Sequence, residues 1–175
     1  MGTGMRFSVK KRCGALLLIC AFLLCGCTVS YSFSGVDIAP EIQTVSVKQF
    51  KNNAAMVNLK LANELTMKLK EKFQSQTKLF VVEQQGDLRF EGQITDYSVS
   101  ATAIGSDKAA MNRLTITLDV RFVNTKDEKK SYESSFSRYA DFSSSKTLEQ
   151  VQDALVAEIV EALVDDMFTK AVTNW

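Results

Sequence analysis

The N-terminus constrains this chain more than any other stretch. Arg6, Lys10, Lys11 and Arg12 lie close together, and no acidic residue occurs before Asp37. An apolar run of twelve residues, Cys13 to Leu24, follows at once. A helix needs about 20 apolar residues to cross a hydrocarbon core, so this run is too short to span one. A basic start, a short apolar core and small residues at its exit form the pattern of a secretory signal. The competing reading of the same residues is a buried core helix.

The run exits through Leu24-Cys25-Gly26-Cys27. This resembles the lipobox of bacterial lipoproteins, which has a leucine three residues before the cysteine and a small residue next to it. Cys25 is an unusual occupant of the second position, though small and uncharged. The resemblance implies that residues 1–26 are removed and that Cys27 carries a covalent lipid; no other cofactor is expected. An ordinary signal peptide with a chance cysteine is the alternative. A lipobox cysteine normally carries two or three acyl chains, and two membrane signals anchor durably where one chain is marginal. The chain is therefore divided into a signal at 1–26, a lipid-anchored segment at 27–38 and one domain at 39–175. Thr28 to Gly35 contains no acidic run, the feature that often exports lipoproteins to the cell surface. Its absence favours a periplasm-facing domain.

Removing the signal changes the composition that matters. The 175 residues become 149, a comfortable size for one domain. Such a chain buries about 68–70% of its unfolded surface and needs no metal or disulfide staple. The formal charge of +1 becomes −3, because 17 basic residues remain against 20 acidic ones. Nothing in that balance points to a nucleic acid. Cys13, Cys20 and Cys25 also leave, so apart from Cys27 the remainder has no thiol. The oxidising compartment would permit a disulfide, but there is none to form.

Periodicity predicts the rest. Val45, Val47 and Phe50 mark a half-buried strand over 42–50, with Pro40 ahead of it. Asn52 and Asn53 offer a cap for a helix from Ala54 to about Gln74, in which Val57, Leu61, Leu65, Leu69 and Phe73 recur every fourth residue. A short strand spans Leu79 to Glu83, and Gln84 to Asp87 reads as a turn. Leu88, Phe90, Gly92 and Ile94 then alternate. After Asp96 the phase slips to Tyr97, Val99 and Ala101, as a β-bulge would produce. Leu114, Ile116, Leu118, Val120 and Phe122 make the cleanest strand. A loop from Asn124 to Lys130 leads to a partner strand through Tyr132, Phe136 and Tyr139. Thr147 and Gln150 have capping-box spacing before a long C-terminal helix. Leu148, Val151, Leu155, Ile159 and Leu163 form one stripe on it; Val156, Val160, Val164 and Phe168 form another. That wide face suits a helix wedged between sheet and first helix, or else a partner surface at Val156, Val160, Val164 and Phe168. The fold class is α+β: two helices on one face of a mostly antiparallel sheet of four to five strands.

The sequence argues against an enzyme, with a carboxylate-only hydrolase as the alternative left open. With no histidine and no free cysteine there is no Cys–His or Ser–His machinery and no common zinc site. The eight glycines are scattered rather than grouped around a phosphate. Asp165 and Asp166 are adjacent on a helix and point in different directions. No catalytic or metal-ligating residue is nominated. Lys126, Lys129 and Lys130 lie in one loop, and Arg113, Arg121 and Arg138 on the polar faces of adjoining strands. They suit an ordinary solvated turn, or contact with a phosphorylated glycolipid.

Four stretches carry a family resemblance: Tyr31-Ser32-Phe33-Ser34-Gly35 after the lipobox, then "TVSVKQFKNNA", "FEGQITDYSVSA" and the closing "DDMFTKAVTNW". In that order they resemble the LptE family of lipopolysaccharide-assembly lipoproteins, in a branch divergent from the enterobacterial proteins. The resemblance spans essentially the whole chain after the signal. It implies two helices on a four-stranded sheet, and a periplasm-facing plug in the LptD outer-membrane β-barrel that helps deliver lipopolysaccharide to the outer leaflet. It implies binding and scaffolding, with no bond made or broken. It transfers no individual lipid-contacting residue. From another class come an accessory or pilot lipoprotein of a secretin or efflux machine, and a small-ligand-binding domain.

Overall fold

Alternation dictates the central strands. The computed structural model describes residues 38–102 and 110–173; the signal sequence, Cys27 and the anchored segment through Asp37 lie outside them. Strand β5 (Met111–Asn124) turns Leu114, Ile116, Leu118, Val120 and Phe122 to one face, each no more than 2% exposed. It pairs antiparallel with β4 (Leu88–Thr102), setting Phe90 opposite Phe122 and Ile94 opposite Leu118. The register then shifts by one, leaving Thr95 without a partner and bringing Tyr97 opposite Ile116. The expected slip is thus a bulge, and it returns Tyr97 to the core at 3% exposure.

On the other side of β5, β6 (Tyr132–Ser143) buries Phe136, Ala140 and Phe142. Tyr139, one of the residues that marked this strand in the sequence, stands on the opposite face and is 56% exposed. Its odd position in a two-residue period decides that.

Three short strands complete the sheet: β1 (Thr44–Val47), β2 (Lys51–Asn52) and β3 (Phe80–Val82). The order is β3-β1-β4-β5-β6, with β2 also on β4. β1 runs parallel to both β3 and β4, and β2 parallel to β4. The class is α+β, but the sheet has six strands and is mixed, where four to five and mostly antiparallel were expected. Helix α1 (Leu61–Gln76) crosses back between β2 and β3, so the strands on either side of it run the same way. A two-residue strand is too short to show a period.

Helix α1 starts seven residues later than the expected Ala54. Asn52 and Asn53 do not cap it: the Asn52 side chain bonds the Asn58 carbonyl and the Ala54 amide, and Asn53 reaches Gln93. The chain enters the helix through Lys60, whose amide donates to the Asn58 side chain. Val57, assigned to the stripe, is 56% exposed in the preceding loop, while Leu61, Leu65, Leu69 and Phe73 are wholly buried. Buried Thr66 donates to the Ala62 carbonyl and accepts from the Phe50 amide, tying helix to sheet.

Helix α2 (Leu148–Thr173) opens as expected, with the Gln150 side chain accepting from the Thr147 amide. Both stripes are buried from Leu155 onward. Val156, Val160, Val164 and Phe168, offered as a partner face, are 1–4% exposed inside this chain. That is a correction: the stripe is occupied from within. The Phe168 ring lies 5.0 Å from Phe73 of α1, which lies 5.2 Å from Phe90 of β4. Phe90 continues to Phe122 at 4.8 Å, so one aromatic run crosses both helices and the sheet.

Candidate functional site

The sheet face turned away from the helices carries alternating polar residues of β4, β5 and β6, and most of the candidate cations belong to it or to its end loop. Arg113 makes a two-point bond to Asp141 at 2.7 and 2.9 Å, and its guanidinium lies 3.6 Å over the Tyr139 ring. The bond to Asp141 raises the arginine pKa, and Arg113 in turn holds Asp141 below the usual carboxylate range. Arg121 stands 3.4 Å from Glu133 on the neighbouring strand. Arg138 turns toward the helices instead and grips Asp166 of α2 with two bonds of 2.6 Å. Asp166 is thus a paired structural residue, and Asp165 separately meets Lys72 at 2.6 Å.

The lysine loop is a built turn. The Asn124 side chain accepts from the amides of Lys126 and Asp127, and Asp127 accepts from the amide of Lys129 at the start of a 3-10 turn (Glu128–Lys130). Lys126 reaches Asp87 at 3.1 Å and Lys130 reaches Asp127 at 3.7 Å. Lys129 is exposed, and no ion pair of its side chain occurs among the described residues. Arg121 is close to this loop along the chain. Arg113 is eight residues further back on β5, about 26 Å away at 3.3 Å per residue. The six cations therefore do not form one patch, and five of them already face a carboxylate.

Asp87 is a central residue that the sequence showed only as the end of a turn. Its carboxylate accepts from the amides of Gln43 and Thr44 and from the Thr44 hydroxyl, besides holding Lys126. Its carbonyl accepts from Thr125. These bonds, led by that of the Gln43 amide, push its pKa far below the ordinary 3.8. The approach is tight: Gln85 has a left-handed φ of 57°, and a Cβ on Gly86 would meet the Ser46 amide nitrogen at 2.6 Å. The only sequence signal for this clasp was a turn-forming glycine before an aspartate.

Two open recesses lie against β4, of about 550 and 490 Å³. The larger mixes Lys48, Lys51 and Arg121 with Glu91, Asp119 and Glu133, so it selects neither sign of charge. Among the described residues no cluster of three His, Cys, Asp or Glu could hold a metal, and no helix is long and apolar enough to cross a membrane. The exposed large apolar residues include Met56, Val57 and Leu59, all in the loop before α1, Leu59 at 90%. What this geometry offers is surface for binding.

Comparison with known proteins narrows the reading. No curated protein matches the chain. A minor lipoprotein from Acinetobacter baumannii shares the fold with a TM-score of 0.51 at 10% identity, covering 77% of this chain and 95% of its own. A hypothetical protein from Chlamydia trachomatis gives 0.51 at 8% identity, over 75% and 99%. At such identities these likenesses speak for the fold alone. The model of the LptE family, described as lipopolysaccharide-assembly, matches residues 42–171, from the start of the sheet to the last turn of α2. The chain belongs to the LptE lipopolysaccharide-assembly family.

Proposed function

We propose that this chain is an outer-membrane lipoprotein, anchored through a lipid on Cys27, whose domain faces the periplasm. It serves as the plug and assembly subunit of the lipopolysaccharide translocon, binds an LptD-like β-barrel and assists delivery of lipopolysaccharide to the outer leaflet. The family match over 42–171 is the observation that carries this reading. An α+β body whose functional surfaces are polar faces and loops suits a subunit that works by binding and does no covalent chemistry.

Lipopolysaccharide contact is assigned to the end of the sheet holding Arg121, Lys126, Lys129 and Lys130. Lys129 is the cation best placed for a phosphate, while Lys126 would have to exchange Asp87 for it. Arg113, bound to Asp141 and stacked on Tyr139 far along β5, is the weakest member of the set.

The test is a mild-detergent pull-down of the tagged, lipidated protein with identification of its partners. Recovery of a large LptD-like barrel in near-equal amount supports the reading. Recovery of a secretin or efflux component, or of no barrel, sinks it.

A further inference from the structure

Among the described residues the upper half of β4 has an open edge. Over Leu88–Ile94 the strand is flanked on one side by β5 and on the other by β1 and β2. Past the bulge at Thr95, only β5 remains among the described residues. On β4, residues whose side chains face the helices turn their backbone groups toward β1 and β2: the carbonyls of Phe90 and Ile94 accept from Lys48 and Asn53. Beyond the bulge Tyr97, Val99 and Ala101 take that facing, so their N–H and C=O groups point out along the unpaired side. Val99 to Ala101 are three exposed residues in a row.

Edges are usually blunted by lysine, proline or charges that cross the strand. The edge strand β6 follows that rule, with Glu133 and Asp141 along it and with Arg138 and Ser134 tied to Asp166 and Lys170 of α2. Thr95 to Thr102 carries one charge, Asp96, whose carboxylate accepts from Ser98. The exposed loop of Met56, Val57 and Leu59 borders the same edge: it begins at Asn53, bonded to Ile94, and brings Asn58 beside Tyr97.

We infer that this edge receives, by backbone pairing, an extended segment that the barrel partner carries outside its closed sheet, with Met56, Val57 and Leu59 covered by the same partner. A row of outward backbone donors and acceptors is matched in register only by another strand. A second copy of this chain is the lesser occupant. Edge-to-edge pairing over eight residues falls well below the 20–30 residues a side of a standard interface, at roughly a third of it. The inference rests on the translocon reading.

The experiment is the pull-down with lipidated variants. Val99→Lys adds a charge at the edge, and Ala101→Pro removes an outward N–H without touching the β5 ladder. Phe80→Lys, on the opposite edge at β3, is the control. Each is first checked for an unchanged urea midpoint. The expected result is a loss of about tenfold in recovered barrel for the two β4 variants and none for Phe80→Lys. A second measurement needs no destabilising change: benzophenone attached at Val99→Cys, in a chain whose only other processed-form cysteine is Cys27, is expected to crosslink to the barrel. Wild-type recovery of the barrel with undiminished recovery by Val99→Lys overturns the inference alone. Crosslinks that join only two copies of this chain overturn it as well. Failure of the wild-type protein to recover any barrel removes the translocon reading, and this inference with it.

Discussion

Single residues decide how the sheet's lower end is closed. Asp87 joins β1, the turn before β4 and the lysine loop through one side chain. Asp87→Ala leaves those donors without their acceptor and is expected to cost about 1–3 kcal/mol in urea unfolding. The pH dependence follows from its depressed pKa. The unfolded chain binds a proton near the ordinary 3.8 while the folded one resists it. The clasp therefore contributes fully above about pH 4 and loses its contribution as pH falls toward the folded value. Asp87→Asn is expected to flatten the acid limb of the stability curve relative to wild type. Tyr132 works the other way. Its hydroxyl is buried with no hydrogen-bond partner among the described residues, and burial raises its pKa above 10. Tyr132→Phe should be neutral or stabilising by about 1 kcal/mol at neutral pH. Because a raised folded pKa favours unfolding once the unfolded tyrosine ionises, the variant should also resist alkali better above pH 10.

At the scale of elements, stability resides in the aromatic run that joins α1, α2 and the sheet. Phe73 touches both Phe90 and Phe168 and is wholly buried. Phe73→Ala should destabilise by about 3–5 kcal/mol, measured as a shift in urea midpoint without a change in slope. The surface ion pairs offer a contrast. Lys68–Glu71 on α1 is more than half exposed on both sides, and exposed pairs contribute little. Lys68→Ala is expected to move the midpoint by less than its error. If Lys68→Ala matched Phe73→Ala, the burial account of α1 would be wrong. The loop before α1 differs from the helix it leads into: Asn52 and Asn58 hold its backbone while its apolar tips face outward.

For the whole molecule, the question is what tethers and what docks. The proposed anchor would depend on Cys27, which lies outside the described residues. Cys27→Ser is expected to abolish incorporation of labelled palmitate into the protein, because the variant lacks the thiol that would carry the lipid. Undiminished labelling of the variant would reject Cys27 as the site of the tether. The two proposed docking surfaces divide along the same sheet, with the lysine loop at one end of β5 and the β4 edge toward the other.

Much of this was written in periodicity. The alternation of Leu114 to Phe122 and the four-residue recurrence from Leu61 to Phe73 named buried faces correctly. The phase slip near Asp96 placed the bulge and buried Tyr97 but not Val99 or Ala101, because a side chain's direction follows from local backbone geometry while its burial needs a neighbour. The basic start and lipobox pattern likewise belong to the chain alone. Tertiary structure decided what depends on partners distant in sequence. Parallel β1 and β3 are joined by an intervening helix, so neither shows its neighbour in its own pattern. The Val156 to Phe168 stripe is apolar whether it meets a partner or Phe73, and only packing reveals which. The cations at 113, 121 and 126 look available until Asp141, Glu133 and Asp87 are brought beside them. Local pattern determines which way a residue faces; only the fold determines what it faces.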